Sequence, residues 1–179
     1  MYYFLAGLLF FIFIILNIFS ENKSIHNFMK YIFIIFRSSI VLLFIAHTLG
    51  LIARWYISGH APWGDAYESM IYVAWATMGI GLLFIKKSDL TLASTSFVTS
   101  MILMIAHWNW MDPSIANLVP VLNSYWLMIH VSVIVGSYGP FALSMILGFV
   151  SLLLIVFITK TNKEKIKNQL SELTMINEL

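Results

Sequence analysis

Histidine is the principal metal-ligating side chain that this sequence offers. There are five, His26, His47, His60, His107 and His130, and cysteine is absent. Without cysteine the chain cannot form a disulfide framework, a thiolate nucleophile, or a Cys-ligated zinc or iron–sulfur centre. No phosphate-cradling glycine loop, Ser-His-Asp order or HExxH helix occurs either.

Two of the histidines, His47 and His130, fall inside long apolar runs. An unpaired polar ring is costly in hydrocarbon, so an intramembrane ionisable group usually has a job. His130 is placed about one turn inside the start of its helix, with Trp126 at i−4 and Ser137 at i+7 forming one stripe. A neutral imidazole there can ligate haem iron through one nitrogen while a hydrogen bond holds the other. Spacing alone favours the plainer alternative, a packing histidine bonded to a serine or a backbone carbonyl.

His60 lies in the stretch Gly59-His60-Ala61-Pro62, which predicts a turn. Asp65 and Glu68 follow, and Glu68 is expected in the first turn of the next helix, where the positive helix end stabilises a carboxylate. Arg37, His26 and Asp112 read as interfacial or solvated groups. Trp55, Trp63, Trp108, Trp110 and Trp126 gather near the same predicted membrane face as these chemical groups. Such tryptophans form the belt of any bilayer interface; they would also make an aromatic platform for a flat apolar cofactor.

The elements that position these residues follow from composition. The 179 residues are 60% hydrophobic and 10% charged, against about 45–50% and about 25% in soluble domains. A water-soluble globular protein is therefore excluded, and the implied partner is the lipid bilayer. A net charge of +2 is no nucleic-acid footprint. A bilayer core about 30 Å thick needs about 20 apolar helical residues. The pattern predicts an all-α polytopic transmembrane bundle over 1–159, with five spans at about 1–19, 31–53, 67–85, 90–106 and 125–158. The first has no basic start or small-residue cleavage site and reads as a retained anchor. The fifth would be about 51 Å long, so it must tilt, protrude or bend, most cheaply near Pro140. In the tail 160–179, Ile166, Leu170, Leu173, Ile176 and Leu179 recur at spacings of three and four, which predicts an amphipathic surface helix.

Lysines 23, 30, 86, 87, 160, 163, 165 and 167 fall in alternate connections, and the opposite connections hold only Arg54. The positive-inside rule then puts the N-terminus outside and the tail in the cytoplasm. Function is expected at the outer face, where the two longer loops, RWYISGHAPWGDA and HWNWMDPSIANLVPVLNS, emerge.

Two segments carry a resemblance. RWYISGHAPWGDAYESMIYVAW, from Arg54 to Trp75, resembles a GHxPxxxxYES region, and LVPVLNSYWLMIHVSVIVGSYG, from Leu118 to Gly139, resembles LVPxLxSxWLxxHVxxxxxxY. Both regions belong to the cytochrome c assembly proteins of the system II (CcsA or ResC) type, which export haem and attach it to apocytochrome c. The resemblance covers about Arg54 to Leu179. It implies that His130 matches one of two external histidines that serve as axial ligands to haem b. Trp126, Trp63 and His60 would then shape the pocket. The family's tryptophan-rich segment, of the form WGxYWxWD, is expected just beyond Leu179, so the chain reads as truncated before its haem-handling region. Haem attachment is thus expected only of the complete protein, in which a C-terminal region or split partner subunit supplies the second ligand. A system II partner membrane protein and apocytochrome c would be the other partners, in the cell inner (plasma) membrane.

Two rival readings use other residues. A di-haem b anchor for a quinone-linked oxidoreductase would pair His47 with His107 or His130. A haem-free transporter would place Arg37, His47 and Glu68 on one ion path.

Overall fold

Each long apolar run becomes a helix, because in hydrocarbon a helix pairs its own backbone groups. The computed structural model describes residues 2–19, 23–110, 112–115, 124–158 and 162–178, without the side chains of 2–5, 15, 17–19, 23–29 and 109–110. Expectations for the side chains of His26 and Trp110, for most of LVPVLNS and for Leu179 lie outside the described residues. Six helices form among those described: α1 (Tyr2–Phe19), α2 (Lys23–Ser58), α3 (Ala66–Leu83), α4 (Asp89–Ile105), α5 (Tyr125–Val156) and α6 (Lys163–Asn177). A single π-helical turn, Ala106–Trp110, extends α4. No strand occurs among the described residues.

Three stretches are long and apolar enough to cross a membrane: Lys30–Ser58, Asp89–Trp108 and Tyr125–Val156. The remaining two expected spans correspond to α1 and α3, helices of 18 residues each. Helix α2 has 36 residues and overruns its expected bounds at both ends. Arg54 and Trp55, expected in a loop, stand in its last turns. The polar residues there lack a breaker until Gly59, whose φ of +70° provides the left-handed stop. Helix α5 runs unbroken through Pro140.

The bundle is organised around α4, which packs against α1, α3 and α5. Small residues allow the approach. A Cβ on Gly7 would lie 2.9 Å from the Ser96 backbone carbon of α4, and, between α5 and α3, one on Gly139 would lie 3.0 Å from the Thr77 backbone nitrogen. Four buried side chains of α4, Ser94, Thr95, Ser96 and Ser100, turn their hydroxyls back onto their own helix, Ser94 to the Leu90 carbonyl at 2.8 Å and Thr95 to that of Thr91 at 2.7 Å. These bonds satisfy the hydroxyls without water. In α6, Ile166, Leu173 and Ile176 are buried and join the same core as Leu147 and Leu154 of α5. The apolar stripe of the tail thus faces the bundle.

Candidate functional site

One end of the bundle is tied together by an ion pair. The N-terminus of α3 is capped by Asp65, whose Oδ1 accepts from the Glu68 N–H at 2.7 Å. Three residues on, Glu68 returns its side chain toward the turn, and Oε2 accepts from the Gly64 N–H at 2.8 Å. This approximates a capping box, with Asp65 as the cap and Glu68 reaching past it. The other carboxylate oxygen accepts from Arg54 Nε at 2.8 Å, and the Glu68 side chain is only 1% exposed. The Arg54 guanidinium then spans to the second connection, where Nη1 donates to the Pro113 carbonyl at 3.0 Å and Nη2 to that of Ser114 at 3.2 Å. Its face lies 5.1 Å from the centroid of the Tyr67 ring. Asp112 accepts from the Ser114 N–H at 2.9 Å, and this bond holds its carboxyl below the ordinary 3.8.

The loop between α2 and α3 also reaches α5. Trp63 Nε1 donates to the Met128 carbonyl at 3.0 Å, two residues before His130. A pocket of about 190 Å³ opens between them, lined by Ala61, Trp63, Gly64, Ser69, Leu127, Met128 and Val131. His60 sits at the rim of the ion pair, with Nδ1 3.1 Å from the Ala61 carbonyl oxygen and 3.9 Å from Glu68 Oε2. Trp63 continues inward as a row of rings: 4.9 Å to Tyr72, 5.7 Å on to Trp75 and 5.9 Å on to Phe44 between centroids.

His130 and Trp126 are exposed on α5, as is Ser137 further along the helix. Trp126 is 77% exposed, and the adjoining Val133 is 67% exposed. The i, i+4, i+7 stripe read from the sequence is thus an open, largely apolar helical face. Ala61 and Trp63 of the loop face Leu127, Met128 and Val131 of α5 across the pocket, beside the stripe, and His60 is bonded within its own loop. Of the expected site residues, His130 and Trp126 share one surface and His60 and Trp63 belong to the neighbouring loop. His107 and Trp108 are exposed on the π-helical turn. Among the described residues no three histidine or carboxylate side chains gather as a metal site.

Arg37 donates through Nε to Asp89 at 2.6 Å, at the other end of α4. His47 is half-buried and lines a cavity together with Arg54, Tyr67 and Ile71, beside the Glu68 ion pair. The hub formed by Arg54 and Glu68 is not visible in the sequence. Its only local signal is the Asp65-x-x-Glu68 pattern, a capping-box spacing.

Residues 63–179 match the family described as Cytochrome C assembly protein. The chain is 45% identical over 139 residues to Protein NrfI of Wolinella succinogenes, an alignment covering 77% of this chain and 15% of that protein. It is 34% identical over 144 residues to the cytochrome c biogenesis protein CcsA of Lobularia maritima, covering 78% of this chain and 43% of that one. With CcsA of Prochlorococcus marinus strain MIT 9301 the identity is 30% over 166 residues, covering 90% and 52%. The chain spans about half the length of these CcsA relatives and a smaller share of NrfI.

Proposed function

The chain belongs to the cytochrome c assembly protein family, and from that membership we propose that it forms the haem-presenting front part of a system II cytochrome c synthase. In this reading the assembled protein exports haem b across the inner membrane and holds it at the outer face for attachment to apocytochrome c. The chain would cross the bilayer five times, with its N-terminus outside and its tail in the cytoplasm, as the distribution of lysines supports.

The observation that carries the reading is the exposed face of α5. The His130 ring is exposed and bonds to no described residue, and Trp126 lies one turn before it beside exposed Ile129 and Val133. An accessible imidazole on an apolar surface suits a flat, largely hydrocarbon macrocycle with a metal at its centre. His130 would ligate the iron, and Trp126 would cover one part of the ring. Trp63 would close the neighbouring side by holding its loop on α5, and His60 would border that loop. When bound, haem supplies the vinyl groups to which the substrate's thiols add.

The second axial ligand would come from a region like that which the longer relatives possess, or from a split partner subunit. That region, together with a system II partner membrane protein, would also cover the open face of α5. A His130→Ala variant, assembled with the remaining components, should lose the haem absorption that the parent retains on purification. Unchanged haem content and spectrum would refute the ligand assignment.

A further inference from the structure

The Arg54 and Glu68 pair is more elaborate than helix capping requires. Asp65 already caps α3, yet Glu68 is almost wholly enclosed and accepts two further bonds, from the Gly64 N–H and from Arg54. Arg54, 15% exposed in its side chain, spends its three nitrogens on three acceptors in two chain segments. Burying such a pair gives no assured gain in stability, since well-packed apolar residues often serve as well. Apolar residues would nevertheless leave the Gly64 N–H without this acceptor and the Pro113 and Ser114 carbonyls without these donors. What the planar fork adds is a fixed register among α2, α3 and both connections at this end.

That register reaches α5. Gly64, held by Glu68, adjoins Trp63, whose indole N–H is bonded to the Met128 carbonyl. Ser69 of α3 donates to the Trp63 carbonyl at 3.4 Å and completes the loop's seat. We propose that Arg54 and Glu68 are positioning residues: their ion pair holds the Trp63 loop against α5, and thereby sets the wall beside the His130 face. The link to haem rests on the functional reading above; the link to the loop does not.

The test uses the full chain in membranes, with Ala61→Cys, in the wall of the pocket and 6% exposed in the parent, as the single thiol in a chain that has none of its own. The readouts are its labelling rate with a membrane-impermeant maleimide and the haem absorption spectrum of the assembled protein. Glu68→Gln preserves shape and removes the charge. It should raise the labelling rate about tenfold, as losing a bond to a charged group predicts, and it should shift or weaken the haem band. Arg37→Met, which breaks the ion pair at the other end of α4, should change neither readout. Labelling of Glu68→Gln at the parent rate overturns the proposal, even where His130→Ala abolishes haem binding. If labelling rises while His130→Ala leaves the haem unaltered, the positioning role stands and the haem reading fails. Should Glu68→Gln fail to accumulate, Arg54→Gln takes its place in the same assay, with the same rise expected and the parent rate again overturning the proposal.

Discussion

Gly139 and Gly148 lie nine residues apart in α5, and the same substitution should leave the chain less stable at Gly139 than at Gly148. A Cβ at Gly139 would lie 3.0 Å from the Thr77 backbone nitrogen, 3.1 Å from the Ala76 carbonyl carbon and 3.3 Å from the Ala76 Cβ. Two of these three are backbone atoms of α3, so the strain cannot be relieved by rotating a side chain. At Gly148 a Cβ meets nothing within 4 Å. Alanine improves helix propensity at either site by up to about 1 kcal/mol, and that gain cancels in the comparison. The difference left is the overpacking cost at Gly139, about 1–3 kcal/mol. For a chain of this size it corresponds to about 2–12 °C in melting temperature. Thermal unfolding of the detergent-solubilised variants should therefore place Gly139→Ala below the parent or near it, and Gly148→Ala at the parent or above. Equal melting temperatures for the two variants would refute the close approach of α3 and α5, and with it the seat of the pocket between Trp63 and Met128.

Three further outcomes follow from other contacts. A single cysteine at Ser114 should label in intact cells with an impermeant maleimide, whereas cysteines at Lys87 or Lys163 should label only after permeabilisation; the reverse pattern would overturn the orientation. Burial raises the Glu172 carboxyl above its ordinary 4.5, with Asp89 adding to the rise and a bond from Ser88 opposing it. The folded chain then binds that proton more tightly than the unfolded one, so stability falls as pH rises above about 4.5, and Glu172→Gln should be the more stable protein at pH 7 and flatten this part of the profile. The Arg37 and Asp89 side chains are 38% and 27% exposed, so Arg37→Met should cost at most about 1 kcal/mol in chemical denaturation, less at high salt.

What the sequence makes legible is what repeats along the chain. The stripe of Trp126, His130 and Ser137 follows helical geometry alone, and all three residues share exposure in the folded chain. The apolar stripe of α6 is legible in the same way, but its partner is not. Bilayer and bundle are equally apolar to Ile166 and Leu173, and only the path of the chain between α5 and α6 decides between them. The ends of α2 lie beyond the expected bounds because polarity is not a stop signal. Lysine, serine and asparagine end a hydrophobic run without ending a helix, and the true stop is Gly59. The bonds from Arg54 to Pro113 and Ser114 cross 59 and 60 residues of sequence. No local pattern encodes such a reach, because it depends on where two connections emerge once the helices have packed.

The enclosed position of α4 bears on how the protein enters its membrane. The stretch containing α4 has the lowest mean hydropathy of the three membrane-length segments, 1.5 against 2.1 and 2.3, yet 61% of it is buried inside the protein against 6% and 33%. A helix rich in serine and threonine partitions weakly into lipid when it leaves the insertion machinery alone. The glycine faces of α1 and α3 give it a protein environment in place of lipid. Helices α1 and α3 precede it during synthesis, so its receiving surface exists before it emerges. Integration of α4 is therefore a cooperative step of biogenesis, and a defect at Gly7 or Gly81 would act while the chain is being inserted, before any cofactor is encountered.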